Sequence, residues 1–162
     1  MKIIFLDFDG VLNHAAHFVQ ERADRVMADR LTDSESFDTI AIERLNQICE
    51  KTGAKVVISS SWRVMFEAED MCQILKRHGF RGGVIGTTPR LHRTSDGEVR
   101  TRGDEIQLWL DAADVAIESF VILDDSADMA HLSHKLVQTD FEVGLDEIHV
   151  ALSIAVLGTK SN

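Results

Sequence analysis

Short apolar runs alternate with amphipathic stretches along the chain. Apolar runs with little polar alternation predict strands buried on both faces, as in a parallel sheet. The predicted strands are Lys2–Leu6, Ala54–Ile58, Val84–Gly86, Phe120–Leu123 and Lys135–Val137. Apolar residues at helical spacing predict helices over Asp38–Thr52, Phe66–His78, Asp104–Ala113 and Leu145–Leu157, with a short one near Ser126–Leu132.

The order of these elements predicts the fold class. Strands that alternate with helices of about 10–15 residues form right-handed βαβ units and a parallel sheet. We therefore expect an α/β protein, a three-layer sandwich of about five strands, in one domain over residues 1–162. In the last predicted helix we expect Leu145, Ile148, Leu152 and Val156 to face the core.

Two carboxylates follow the first predicted strand. Its apolar run leads directly into Asp7, and Asp9 comes two residues later. In an extended segment this spacing places both side chains on the same side. Gly10 then allows a tight turn close to a bound substrate, and we count it among the substrate-binding candidates. The alternative is an ordinary Asp-Gly turn at the end of a strand.

A second strand ends in the same way, which favours a metal site. The run Val121–Leu123 leads into Asp124 and Asp125, with Asp128 three residues further on. Buried carboxylates are costly unless a cation compensates them. If both strands belong to one parallel sheet, their carboxyl ends meet at the edge where open α/β sheets bind ligands. Hard oxygen ligands at an open site are typical of Mg²⁺.

Such a site could act on a phosphate ester. Asp7 is well placed as the nucleophile that attacks phosphorus. Asp9 could protonate the leaving oxygen and later deprotonate the attacking water. We expect Mg²⁺ to be held by Asp7, the main-chain carbonyl of Asp9 and Asp125.

Hydroxyl and guanidinium groups are the candidate phosphate ligands. Ser59 or Ser60, at the end of the second predicted strand, could donate a hydrogen bond to a phosphate oxygen. Arg63 and Arg102 could balance charge on the transferred group. An exposed strand end and solvated surface charges are the alternatives, and the sequence decides neither between the serines nor between the arginines.

Arginines are also concentrated around the only proline. The segment contains Arg90, Arg93, Arg100 and Arg102, with His92 among them. A phosphate-rich substrate could use this local positive charge, and Arg90 is counted as a substrate-binding candidate. An exposed loop of mixed charge is the alternative.

Composition limits the function classes. The formal net charge of −10 argues against broad, nonspecific coating of nucleic acid. The two cysteines, Cys49 and Cys72, give no disulfide framework, so we expect reduced thiols in a cytoplasmic protein. No signal peptide, membrane-length apolar run or obligate protein partner is indicated.

The acidic, hydroxyl and basic residues at these strand ends resemble the sequence motifs of the haloacid dehalogenase (HAD) superfamily. DFDGVLN at Asp7–Asn13 is similar to its first motif, DxDG followed by V or T. Ser59 is similar to the serine or threonine of the second motif, Arg102 to the basic residue of the third (usually lysine), and Asp124–Asp125 to the acid pair of the fourth.

This resemblance implies roles, a cofactor and a sheet order. Asp7 is expected as the nucleophile, Asp9 as the general acid/base and Asp125 as a ligand of Mg²⁺. Asp124 is expected as a second ligand or as a partner of the ligands. The implied fold is a Rossmann-like parallel sheet of order 3-2-1-4-5.

A finer resemblance concerns a small HAD branch found in polynucleotide-repair proteins. The segments that carry it are SSSWR at Ser59–Arg63, GTTPRL at Gly86–Leu91, RGDEIQLWL at Arg102–Leu110 and VILDDSADM at Val121–Met129. Because such domains remove terminal phosphates, the resemblance implies an end-healing phosphatase.

The spacing of the motifs leaves no room for a full cap domain of the kind found in this superfamily. About fifty residues separate Asp9 from Ser59, and about forty-three separate Ser59 from Arg102. Both gaps must also contain elements of the core, so residues 14–36 could form only a small flap. An open site favours a chain end or another large substrate, whereas a capped site closes over small metabolites.

Several hypotheses follow. The first is a Mg²⁺-dependent phosphohydrolase with an aspartyl-phosphate intermediate, acting on nucleic-acid terminal phosphates. Nucleotides or other small phosphomonoesters are alternative substrates. There are also two alternatives to hydrolysis. One is a non-catalytic phosphate-binding module of the same fold, and the other is a phosphoryl transferase with an acceptor other than water.

Overall fold

The computed structural model describes residues 1–20, 37–91 and 100–158 and contains an all-parallel sheet. Its five strands lie in the order β3-β2-β1-β4-β5. They are β1 (Lys2–Leu6), β2 (Lys55–Ile58), β3 (Val84–Thr87), β4 (Ser119–Asp124) and β5 (Leu136–Gln138). The predicted sheet and its order are confirmed.

Helices cover both faces of this sheet. The α-helices are α1 (Thr39–Thr52), α2 (Ala68–Arg77), α3 (Arg102–Ala112) and α4 (Glu147–Gly158). Two 3₁₀ helices cover Ser61–Val64 and Ala130–Lys135. Residues 15–20 are also helical. The three-layer α/β sandwich is therefore confirmed. The short helix predicted near Ser126–Leu132 is present as a 3₁₀ helix that begins only at Ala130.

Strand β1 is the centre of the sheet and defines two apolar layers. Ile3 and Phe5 pack in one cluster with residues of α3, and Ile4 and Leu6 pack in the other with residues of α1, α2 and α4. Alternate residues of a strand point to opposite faces, so a strand covered on both sides must be apolar throughout. The exposed fraction of all four side chains is 0%.

The register of the strands brings their carboxyl ends to one edge. Leu6 of β1 lies opposite Ile58 of β2 and Leu123 of β4. Asp7 continues this pairing, since its main-chain N donates to the carbonyl of Leu123 at 2.9 Å. The polar residues that follow these three strands therefore converge.

Helix α3 begins earlier than its apolar pattern predicts. Thr101 is the N-cap, its hydroxyl accepts from the main-chain N of Asp104, and the Asp104 carboxylate accepts from the main-chain N of Thr101. This capping box satisfies the free N–H groups of the first turn. Arg102 is therefore the first residue of the helix rather than part of the preceding loop.

The predicted core face of the last helix is right for Leu145, which is buried, and for Val156, which packs against the core, but wrong for Ile148 and Leu152. Ile148 and Leu152 have exposed fractions of 67% and 49%, whereas Val150, Ser153 and Leu157 are buried. Helix α4 is apolar almost all round, so the sequence pattern does not select one face. Contact with α1 and β4 decides the orientation instead.

Residues 21–36 of the predicted flap lie outside the described residues, so the flap stays a prediction. Across the described parts of the chain, the longest apolar helices fall short of a membrane span.

Candidate active site

Three carboxylates meet at the carboxyl edge of β1 and β4. Asp7, Asp124 and Asp125, which we call the acidic cluster, each offer an oxygen atom within 4.8 Å of the others. Gly10 permits this approach: it has φ +72°, and a Cβ at this position would clash with the Asp125 carboxylate. Glycine is therefore required here both for the backbone conformation and for space.

The acidic cluster fits a divalent cation. Oδ2 of Asp124 is buried and, among the described atoms, has no hydrogen-bond partner, while Oδ1 accepts from the main-chain N of Ser126 at 2.9 Å. Nη1 of Arg102 gives Oδ2 of Asp124 an ion-pair partner at 3.2 Å but no hydrogen bond, and a metal ion would compensate its burial further. An all-carboxylate oxygen donor set suits Mg²⁺, with Asp7, Asp124 and Asp125 as the side chains that would hold it.

The electrostatics of the cluster also favour a cation. Burial raises the pKa of the Asp7 carboxyl above its usual value, although Arg102 and the Ser60 hydroxyl act in the opposite direction. Burial and the nearby charge of Asp7 raise the pKa of Asp124 to about 7. A bound divalent ion would stabilise both carboxylates in their charged form.

Arg102 is the cation nearest to the acidic cluster among the described residues. One of its terminal nitrogens, Nη1, lies 2.8 Å from Oδ2 of Asp7 and 3.2 Å from Oδ2 of Asp124, and also donates to the main-chain carbonyl of Ser59. Gly103 secures this placement, because a Cβ there would clash with the backbone of Met129.

The Asp9 carboxylate lies outside the acidic cluster. Nε1 of Trp62 is 3.1 Å from Oδ1 and 3.0 Å from Oδ2 of Asp9, and Nδ2 of Asn13 is 2.9 Å from Oδ1. The side chain is thus held beside the cluster rather than in it. Coordination by the main-chain carbonyl of Asp9 stays a prediction.

The two candidate serines have different surroundings. Both are fully buried. The Ser60 side chain lowers the pKa of the Asp7 carboxyl, and its hydroxyl accepts from the main-chain N of Trp62 at 3.3 Å. The Ser59 hydroxyl accepts from Thr88 at 3.5 Å. Ser60 therefore influences the charge state of the candidate nucleophile, and Ser59 lies toward the loop after β3.

Arg63 is engaged away from the acidic cluster. Its Nη2 pairs with Oε2 of Glu105, and its Nη1 donates to the Thr88 hydroxyl at 2.6 Å. Oε1 of Glu105 accepts from the main-chain N of Leu91 at 2.9 Å. The pair therefore ties the loop after β3 to α3.

Arg90 lies exposed on that same loop, next to Leu91. His92 and Arg93 lie outside the described residues. The arrangement thus brings together Asp7, Arg102, Asp124, Asp125, Gly10 and Ser60, with Asp9 at the margin.

Three residues that complete the site were not predicted from the sequence: Trp62, Asn13 and Glu105. Trp62 directly follows three serines at the end of a buried strand, so an indole N–H at the ligand-binding edge was a usable signal. Asn13 follows the first acid pair in the same way. Glu105 gave no signal, because an acid in the first turn of a helix is common.

Comparison with protein families gave a match over most of the chain. A family model described as the HAD domain in Swiss Army Knife RNA repair proteins matches residues 3–150. No curated protein and no solved structure matches the chain significantly.

Proposed function

The chain belongs to the family of HAD domains in Swiss Army Knife RNA repair proteins, and from this premise we propose that it is a Mg²⁺-dependent phosphohydrolase that forms an aspartyl-phosphate. The family supports a HAD-type hydrolase and a phosphorylated substrate. The observation that carries the finer proposal is the position of Asp7. Its carboxylate contacts Arg102, belongs to the acidic cluster and lies two residues from a separately held Asp9.

In the first step an oxygen of Asp7 attacks phosphorus, and the bond from phosphorus to the leaving oxygen breaks. Asp9 gives its proton to that oxygen. Arg102 holds the Asp7 carboxylate and offers positive charge to the phosphoryl oxygens. A bound Mg²⁺ would supply Lewis-acid stabilisation of the phosphoryl group.

In the second step water attacks the phosphorus of the aspartyl-phosphate. Asp9, now a carboxylate, takes a proton from the water, and the bond between phosphorus and Asp7 breaks. Ser60 and Ser59 are the hydroxyl groups available to the phosphate. Gly10 lies beside Asp125, and its lack of a Cβ leaves room for that carboxylate at the site.

For the substrate we propose a nucleic-acid terminal phosphate. The matched family is that of HAD domains in RNA repair proteins. The short gaps between the motifs also favour an open site, which could admit the end of a chain. Arg90, exposed on the loop after β3, could bind a second phosphate of the chain. We place the enzyme in the cytoplasm, since Cys49 and Cys72 are both free thiols.

The test is hydrolysis of an aryl phosphate with and without Mg²⁺, by the wild type, Asp7→Asn and Asp111→Asn. Asp7→Asn nearly preserves shape but removes the attacking charge, so we expect turnover to fall at least 10³-fold, the order that nucleophile loss costs. Asp111, exposed at the end of α3 and bonded by Gln107, is the matched control and should keep wild-type activity.

A second arm compares 3′- and 5′-phosphorylated oligonucleotides with nucleotides. Preference for an oligonucleotide end supports the substrate proposal, and preference for nucleotides replaces it by the small-molecule alternative. Release of phosphate to an added acceptor would indicate a transferase. Failure of the wild type on all these substrates would leave only the non-catalytic phosphate-binding module.

A further inference from the structure

The Asp9 carboxylate is bonded by side chains from two different parts of the chain. The Trp62 indole N–H is shared between both oxygens at 3.1 and 3.0 Å, and the Asn13 amide donates to Oδ1 at 2.9 Å. Building on the phosphohydrolase proposed above, we propose that Trp62 is a positioning residue that, together with Asn13, fixes Asp9 for proton transfer.

Trp62 is itself held in place. Its exposed fraction is 8%, and its ring packs against Phe8, Phe37 and Phe66 at centroid distances of 5.4, 5.4 and 5.6 Å. Its main-chain N donates to the Ser60 hydroxyl at the start of the 3₁₀ helix. The indole therefore cannot turn away from Asp9 without disrupting an aromatic cluster.

The Asn13 amide is oriented by the same carboxylate. Asn13 is buried, and its main-chain carbonyl accepts from the main-chain N of Gly10 at 2.8 Å. Its Oδ1 has no hydrogen-bond partner among the described atoms. Reversing the amide would place this oxygen against the Asp9 carboxylate and lose the bond to Oδ1. Oδ1 of Asn13 therefore stays without a hydrogen bond because the amide is oriented to donate to Asp9.

These contacts determine which oxygen is available and where it lies. Among the residues that the structure describes, Oδ1 of Asp9 accepts from two donors, whereas Oδ2 accepts only from the shared indole N–H. Oδ2 is therefore the oxygen with free lone pairs for a proton. The same contacts keep the carboxylate beside the acidic cluster, so that Asp9 serves in proton transfer while Asp7, Asp124 and Asp125 serve the metal.

The consequence for the reaction depends on the leaving group. An alkoxide needs the proton of Asp9 when its bond to phosphorus breaks, whereas a nitrophenolate leaves without one. Breakdown of the aspartyl-phosphate needs Asp9 for either substrate. A misplaced Asp9 should therefore slow both steps for an alkyl phosphate but only the second step for an aryl phosphate.

The kinetic experiment uses Trp62→Phe, which keeps an aromatic ring but removes the N–H donor. With the alkyl phosphate that the wild type hydrolyses fastest, we expect kcat to fall about 30–100-fold with KM within about threefold. With nitrophenyl phosphate we expect a burst of one nitrophenolate per enzyme at about the wild-type rate, followed by slow turnover. Equal slowing of the burst and of the alkyl phosphate would overturn the proposal, and so would wild-type kinetics.

The matched control is Trp109→Phe. Trp109 is the other tryptophan of the chain and packs edge-on against Phe5 at 5.4 Å, away from Asp9. We expect both substrates to be hydrolysed within about threefold of the wild type, since general acid–base catalysis is unaffected. A loss equal to that of Trp62→Phe would assign the effect to packing and overturn the proposal.

A spectroscopic experiment separates this proposal from the proposed function. Two tryptophans give two indole N–H signals in a ¹⁵N–¹H correlation spectrum, which the two Phe variants assign. We expect Asp9→Ala to move the Trp62 signal upfield because a charged acceptor is lost, and Asp125→Asn to leave it in place. An unmoved signal would overturn the Trp62–Asp9 contact even in an active enzyme. Absence of turnover with a moved signal would overturn the proposed function instead.

Discussion

Two arginines lie near the carboxyl edge of the sheet, and their partners differ. Arg102 contacts Asp7 and Asp124, and Arg63 pairs with Glu105. Both side chains are largely buried, with exposed fractions of 19% and 11%. Burial and a carboxylate partner are therefore common to both. The two arginines differ in the role of the partner: Asp7 is the proposed nucleophile, whereas Glu105 has no proposed part in the reaction.

Helix α3 connects the two pairs. Arg102 and Glu105 lie one turn apart on it, so the same first turn presents a cation to the acidic cluster and an anion to Arg63. The Arg63–Glu105 pair also holds the loop after β3 through Thr88 and Leu91. We infer that Arg102 serves the reaction, and that Arg63 serves the position of the helix that carries Arg102.

The largest expected effect is the loss of Arg102. Arg102→Ala removes the cation beside Asp7, so we expect kcat for an aryl phosphate to fall about 10²–10³-fold, as for other electrostatic transition-state contacts. Arg102→Lys should restore part of the rate, because a lysine can supply the charge but not the branched geometry. Steady-state kinetics at saturating Mg²⁺ measures both.

Circular dichroism must show that Arg102→Ala is folded for this comparison. If Arg63→Met in the folded state lost as much activity as Arg102→Ala, the distinction between the two arginines would be wrong.

The next effect concerns stability rather than rate. Glu105→Gln leaves Arg63 buried without its counter-charge, and removing one partner of a buried pair costs about 3 kcal/mol of the free energy of unfolding. Urea unfolding measures this loss. Activity of the folded fraction should stay within about tenfold, because Arg102 keeps its own contacts.

The double variant Arg63→Met, Glu105→Gln supplies the control, since removal of both charges should recover part of the lost stability. Additive losses would show that the pair is not coupled and would contradict the role given to Glu105.

Much of the fold and of the acidic cluster could be predicted because both depend on local pattern. Fully apolar strands that alternate with amphipathic helices favour a parallel sheet, and acids at the carboxyl ends of two such strands come close together if the strands are neighbours. The residues Asp7, Asp124 and Asp125 were found in this way, and the structure brings them together.

The choice between the arginines could not be predicted, because it depends on partners that are distant in sequence. Glu105 follows Arg63 by 42 positions, and only the docking of α3 brings them together. The predicted inward face of α4 is wrong at Ile148 and Leu152 for a related reason: a helix that is apolar on all sides takes its orientation from its neighbours.

The smallest expected effect is a pH dependence of the free energy of unfolding, caused by Asp124, which Arg102 contacts. In the metal-free protein the pKa of Asp124 is about 7, against an ordinary value of 3.8. Between these two pH values the Asp124 carboxyl is therefore mostly protonated in the folded state and mostly ionised in the unfolded state. Stability is highest below about pH 4 for this group and falls as pH rises toward 7, by up to about 1.4 kcal/mol per pH unit.

Thermal or urea unfolding in EDTA between pH 4.5 and 6.5 measures this slope, and Asp124→Asn should reduce it because asparagine does not titrate. Asp7, whose pKa burial also raises, would retain its own share of the slope. Asp111→Asn, an exposed carboxylate on α3, should leave it unchanged. Added Mg²⁺ should flatten the wild-type slope by stabilising the charged carboxylates. An unchanged slope in Asp124→Asn would mean that the carboxylate beside Arg102 is no more perturbed than an exposed one, and the electrostatic contrast between the two arginines would then be lost.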